Sequence, residues 1–165
     1  MTAFRPALCL AALLSLGACA SFAPNDGEQV ARFAAAPSYA TPLYPNETPE
    51  LRELINQYAD FYQVPRPLVH RVIVRESTHR PGARNGPYYG LMQILPATAR
   101  TMGFRGQPSD LLDAETNLKY AVKYLRGAWL LSDGSYDAAV GWYARGYYYE
   151  AKRQGMLVET GLRPG

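Results

Sequence analysis

Proline and glycine punctuate this chain so closely that only helices of modest length fit between the breaks. Thr48-Pro49 supplies an N-cap followed by Pro at the first helical position, and Leu51, Leu54, Ile55, Tyr58 and Phe61/Tyr62 follow at helical spacing until Val64-Pro65 stops them. The pattern predicts a second helix from about Arg66 to Ser77 and a third opened by Pro96 and ended by Gly103. A fourth is expected over about 114–131, N-capped by Asp113 and burying Leu118, Ala121, Val122, Leu125 and Trp129. Asp133-Gly134 turns the chain into a fifth, over about 136–154, which Gly155 closes. Residues 78–90 read as a loop, with Pro81, Gly82, Asn85-Gly86-Pro87 and Gly90. No stretch alternates as a half-buried strand would, and no repeat is evident. The expected fold is all-α, a compact domain of about five main helices over residues 48–155, with residues 156–165 as a C-terminal tail. At 165 residues there is room for one such core and not two.

The chemistry concentrates at the end of the second helix. Leu68, Val72 and Glu76 lie four apart, and Val69 and Ile73 fall on the same face, so Glu76 ends the apolar stripe instead of facing water. Partial desolvation raises a carboxyl pKa, as does the negative end of a helix dipole; Arg71, Arg75 and Arg80 nearby act the other way. A carboxyl that holds its proton near neutrality can serve as a general acid. The opposite reading is a carboxylate simply paired with one of those arginines. Seven basic residues lie between Arg66 and Gln107 against Glu76 alone, a distribution suited to an anionic polymer. A net charge of +3 is too small to argue for nucleic acid.

The N-terminus reads as a targeting segment. Arg5 precedes a short apolar run from Ala7 to Leu16, too short for a span of about 20 residues. Leu16-Gly17-Ala18-Cys19 resembles the lipobox of bacterial lipoproteins, which implies a signal peptide over 1–18 and a lipid on Cys19. Ala20 after that Cys, in place of Asp, suits the periplasmic face of the outer membrane. Residues 19–47, rich in Ala, Pro, Asn, Thr and Ser, read as a flexible tether to the domain. With Cys9 removed and Cys19 lipidated, no disulfide and no cysteine-based metal site is expected in the mature monomer, and no metal or cofactor is assigned.

Four blocks then appear in order: Glu76-Ser77; Gly90-Leu91-Met92-Gln93-Ile94-x-Pro96-x-Thr98-Ala99; Asn117-Leu118 with Tyr124-Leu125; and Tyr143-x-x-Gly146. Over about residues 50–155 they resemble the lytic transglycosylases of the soluble-transglycosylase, goose-type lysozyme-like group. The resemblance implies a lysozyme-like helical domain that needs no cofactor. It also implies cleavage of peptidoglycan between N-acetylmuramic acid and N-acetylglucosamine without water, leaving a 1,6-anhydro sugar. Glu76 would be the single acid/base, and Ser77, Asn85, Tyr89, Gln93 and Tyr143 the substrate-binding residues. Among these, Gln93 would bond the sugar beside the scissile bond, and the Tyr143 hydroxyl would reach and orient Glu76. Gly90 reads as a backbone necessity, and Trp142, Tyr88, Tyr147 and Tyr148 as further aromatics able to stack on sugars.

Two positions depart from the family pattern. Asn85 stands near the position where many relatives have Ser, and Ala144 stands where they have Asn. No acid occurs from Ser77 to Ser109, whereas goose-type lysozymes carry Asp residues there that position a water. That favours the transglycosylase over a hydrolytic muramidase. The competing reading is a non-catalytic peptidoglycan-binding scaffold lipoprotein that kept the fold. Export would hold the domain away from nucleic acid.

Overall fold

The computed structural model describes residues 41–164. The expected signal peptide, the lipidated Cys19 and the tether up to residue 40 lie outside the described residues. Helix α1, Pro49–Phe61, starts where Thr48 Oγ1 accepts the Leu51 N–H at 3.2 Å, and it buries Leu51, Ile55 and Ala59. Helix α2, Arg66–Glu76, follows Pro65 and buries Leu68, Val69, His70, Val72 and Ile73. A two-residue hairpin comes next, β1 Arg84–Asn85 antiparallel to β2 Tyr88–Tyr89, turning at Gly86 with φ 57°. Helix α3, Pro96–Thr101, and a 3-10 turn, Pro108–Leu112, lead to Asp113, which caps α4, Ala114–Leu130, by accepting the Thr116 N–H at 2.8 Å. Helices α5, Tyr136–Arg145, and α6, Tyr148–Arg153, complete the set.

Helix α4 is the axis of the core. It packs against α1, α3, α5 and the 3-10 turn, while α2 lies on α1 and α5. Its Leu118, Ala121, Val122, Leu125 and Ala128 are fully buried, each large aliphatic contributing about 1.5–3 kcal/mol of transfer free energy. Trp129, expected in the core, is half-buried and meets Tyr136 edge-on at 5.6 Å. The all-α expectation holds, with six α-helices among the described residues.

Three local expectations are corrected. The fifth helix is two, because Gly146 adopts φ 84°, ψ 152°, a conformation that a residue with a Cβ resists. The break turns Tyr147 inward, where its hydroxyl donates to the Tyr124 carbonyl at 2.8 Å and its ring takes the space above Gly127. Tyr147 is therefore core and cannot stack on a ligand. The loop after α2 contains the β1–β2 hairpin, whose strands are too short to show alternation. Residues 156–164 are packed turns instead of a tail: Leu157 and Thr160 are buried, and the Thr160 hydroxyl donates to the Met156 carbonyl at 2.6 Å.

The last residues assigned to the tether are also part of this unit. Arg52 donates to the carbonyls of Thr41 and Pro42 at 2.8 and 2.9 Å and grips both oxygens of Glu47, whose side chain has no solvent exposure. Glu47 faces His70 and His79, and the Tyr44 ring stacks on both imidazoles. Burial pushes both imidazoles below the usual histidine range, His70 to about 4. Burial pushes Glu47 up, but hydrogen bonds from Arg52 and the Tyr44 N–H, with the nearby histidines, bring it below the usual carboxylate range.

Candidate active site

Glu76 is the last residue of α2, and the apolar spacing that carries the helix into the core leaves its carboxyl at the lip of a cleft. The side chain is 23% exposed, neither free in water nor enclosed. Burial raises its pKa; Arg75, with Nε at 3.5 Å from Oε1, opposes this only in part. The Arg75 side chain is itself half-exposed, so solvent screens the contact. Glu76 is thus not locked to a guanidinium, and the helix end provides no N–H donors to hold its anion.

A recess of about 330 Å³ beside Glu76 is lined by Arg75, Asn85, Tyr88, Gln93, Tyr143 and Ala144. One adjoining recess continues along Arg80, Ala83 and Arg84, and another along Ile94, Leu95, Thr98, Tyr124 and Arg145; Gln93 lines all three. Glu76 is the one carboxylate among these lining residues. A larger hollow, about 550 Å³ between Tyr62, Lys123 and the C-terminal turns, has only the exposed Glu159 as an acid and offers no sheltered proton donor.

The cleft floor is the segment Gly90–Ile94, held by one buried side chain from α4. Asn117 Oδ1 accepts the Met92 N–H at 3.0 Å, while its Nδ2 donates to the carbonyls of Tyr89 and Leu111 at 2.8 and 2.9 Å. Gly90, φ 73°, lies so close to Asn117 Nδ2 and the Leu111 carbonyl oxygen that a Cβ would overlap both, which confirms the backbone reading of this glycine. Gln93 has a left-handed φ of 48°, and its Nε2 donates to the carbonyls of Ala83 and Gly90 at 3.0 and 2.8 Å. Its Oε1 is buried without a hydrogen-bond partner. It is an unmet acceptor directly behind the cleft lining.

The structure brings together Glu76, Asn85, Gln93 and Tyr143. Tyr143 is oriented differently from the expectation: its hydroxyl donates to the Met92 carbonyl at 2.8 Å, not to Glu76. Burial first, then the nearby Glu76 and Tyr124, hold the phenol well above its usual pKa. With its proton committed, Tyr143 can share a hydrogen bond with Glu76 only by accepting one from the protonated acid. Ser77 does not line the cleft. It is buried, its hydroxyl accepting the Arg80 N–H at 3.3 Å and lying 3.5 Å from the Ile73 carbonyl, so it shapes the turn that follows Glu76. Tyr89 is likewise turned away, its ring beneath the Arg84 guanidinium at 4.8 Å, and its neighbour Tyr88 lines the cleft in its place. Trp142 is covered by Arg145 at 3.8 Å. Asn117 enters the sequence pattern only as a motif position without a role, although a polar residue beside Leu118 on the apolar face of α4 was the available signal.

No solved structure matches the chain. The family model described as the transglycosylase SLT domain matches residues 53–154, a span that begins inside α1, contains the whole cleft and ends just after α6. By that match, and with Glu76, Gln93 and Tyr143 meeting in one cleft of a helical, lysozyme-like domain, the chain belongs to the transglycosylase SLT domain family.

Proposed function

We propose that the protein is a peptidoglycan lytic transglycosylase in which Glu76 is the only acid/base. Members of its family are lytic transglycosylases, and the observation that carries the reading to this chain is that Glu76 is the sole carboxylate lining the cleft. Most retaining and inverting hydrolases use a second carboxyl group across the scissile bond. In the proposed course, Glu76 donates its proton to the oxygen bridging N-acetylmuramic acid and N-acetylglucosamine, and the C1–O bond breaks. The carbonyl oxygen of the substrate's own N-acetyl group bonds to C1. Glu76, now a carboxylate, takes the proton of the C6 hydroxyl while O6 displaces the acetyl oxygen, closing the 1,6-anhydro ring and regenerating the acid. Gln93 Oε1 accepts from a sugar donor, Asn85 and Tyr88 flank the strand, and Tyr143 receives the hydrogen bond of protonated Glu76.

Digestion of purified sacculi with wild type and Glu76→Gln, followed by mass spectrometry, tests the reading. Anhydromuramyl products from wild type and a loss of at least about 100-fold in the variant are expected. Reducing-end products carrying solvent oxygen would make the protein a muramidase, and binding without turnover in the wild type would make it a scaffold. Wild-type turnover by Glu76→Gln would refute the acid/base assignment. The same proposal places the domain at the periplasmic face of the outer membrane through a lipid on Cys19. Cys19→Ser should move the protein from the membrane fraction to the soluble one, and unchanged fractionation would overturn the anchor.

A further inference from the structure

Away from the cleft, three ligating groups from separate segments converge. Glu47 belongs to the stretch before α1, His70 to α2, and His79 to the turn that follows Glu76. His70 Nδ1 and His79 Nε2 are 3.2 Å apart, and Glu47 Oε1 lies 3.6 Å from the first and 3.8 Å from the second. Only the 3.2 Å contact is near hydrogen-bond length, and one proton satisfies it. Between the two rings, one nitrogen must then be bare, and it faces a carboxylate oxygen. A shared cation removes that conflict. The centre of the circle through the three atoms (product of the sides over four times the triangle's area) lies about 2.05 Å from each, within the usual span of Zn–N and Zn–O bonds.

The surroundings are closed to solvent and orient the carboxylate, while His79 Nδ1 is buried without a hydrogen-bond partner. The side chains of Glu47 and His79 have no solvent exposure and that of His70 has 8%. Arg52 Nε donates to Glu47 Oε1 at 2.8 Å and the Tyr44 N–H to Oε2 at 2.9 Å, outer hydrogen bonds that orient the carboxylate. The Tyr44 ring covers the imidazoles, 4.9 Å from His79 and 5.3 Å from His70. Thr78 and His79 hold consecutive left-handed φ values of 52° and 58°, strain that needs an anchor, and Asn46 adds only one bond to the Thr78 carbonyl, at 3.0 Å.

We propose that Glu47, His70 and His79 bind one Zn²⁺ as a structural tie. The two imidazole nitrogens and one carboxylate oxygen are a donor set that suits zinc. The ion joins the segment before α1, helix α2 and the turn after Glu76, and stands apart from the cleft chemistry; the inference does not rest on the function proposed above.

The chain contains two histidines, both in this cluster, so its imidazole signals report this site alone. Untagged full chain, stripped with a chelator, is titrated with Zn²⁺ while the ¹H–¹⁵N spectrum of the rings is recorded. Both rings should shift and saturate at one equivalent, with a rise in Tm. Co²⁺ should give the visible absorption of a low-coordinate nitrogen–oxygen site, which Zn²⁺ then abolishes. His70→Gln and His79→Gln should weaken binding at least about 100-fold. Imidazole signals unmoved by one equivalent of Zn²⁺ would overturn the proposal, even where the metal binds elsewhere, as at a cysteine. Folded histidine variants that bind as wild type would also overturn it. Should neither variant fold, the wild-type ring spectrum alone decides.

Discussion

Asn117→Ala is the perturbation that most directly tests how the cleft floor is held. The side chain is fully buried and makes three hydrogen bonds to backbone groups of the Tyr89–Met92 segment and the 3-10 turn. The Tyr89 carbonyl also accepts the Ile94 N–H at 3.0 Å, so its share of the loss is a bond of about 1 kcal/mol. The Met92 N–H and the Leu111 carbonyl lose the partner that buries them, at about 1–3 kcal/mol each. The expected loss is about 3–7 kcal/mol, its lower end applying if water enters the vacated space. Urea unfolding at neutral pH measures it, and a domain in the upper part of the ordinary range, about 10–15 kcal/mol, stays folded enough to be read. Asn117→Leu separates satisfaction from volume, because it fills the space while excluding water and should cost at least as much as Ala. Asn117→Asp adds a pH signature: a carboxylate facing two carbonyls has its folded pKa raised above its unfolded value. Relative to wild type, that variant is least impaired below the unfolded pKa and loses stability as pH rises through the folded one. A loss below about 1 kcal/mol for Asn117→Ala, or a Leu variant more stable than the Ala variant, would refute the reasoning.

Removing the opposing cation should raise the Glu76 pKa further, so Arg75→Gln is expected to move the alkaline limb of the pH profile of kcat/KM upward, by an amount that shrinks with salt. Arg75 also lines the cleft, so the readout is the position of the limb and not its height; a limb that stays put or moves down rejects the electrostatic assignment. Gln93→Leu removes two donors whose acceptors keep backbone partners, which limits the stability cost to about 1–2 kcal/mol. It also removes the unpaired Oε1, so kcat/KM on sacculi should fall well beyond what that destabilisation explains, and an unchanged kcat/KM would show that Oε1 receives nothing from the substrate.

Glu76 was legible because its position follows from period alone: a residue four beyond Val72 on a stripe of Leu68, Val69 and Ile73 must end near the core. Helix starts were legible for a similar reason, since Thr48 and Asp113 cap through contacts three residues away. Beyond the last turn of α2 no period exists to extrapolate. Which of Tyr88 and Tyr89 faces the cleft is set by the pairing of Arg84 with Tyr89 and Asn85 with Tyr88. Whether Ser77 faces it is set by the turn that its own hydroxyl helps to form. Gly146 was passed over because the aromatics on either side keep helical spacing, and one helical glycine costs only about 1 kcal/mol, too little to signal a break. Glu47 was hidden by composition: Pro, Asn and Thr around it read as linker, and its partners His70 and His79 lie across a whole helix in sequence.

The segment from Thr78 to Gln93 has almost no regular structure, yet the proton delivery proposed for Glu76 tolerates little misplacement. Its left-handed non-glycine residues, Thr78, His79 and Gln93, each cost about 1–2 kcal/mol, so a loosely held loop would relax out of this shape. Both ends are therefore fixed by buried polar groups that never touch the cleft. His79 packs beside Glu47 and His70 three residues after Glu76, and Asn117 fastens the far end at Tyr89 and Met92. Tyr143 then ties α5 to that same Met92, so the acid at the end of α2 and the floor opposite it are referred to one framework. The acid itself stays free of strong hydrogen bonds and burial raises its pKa, while the strain and the polar contacts are carried by residues on either side of it.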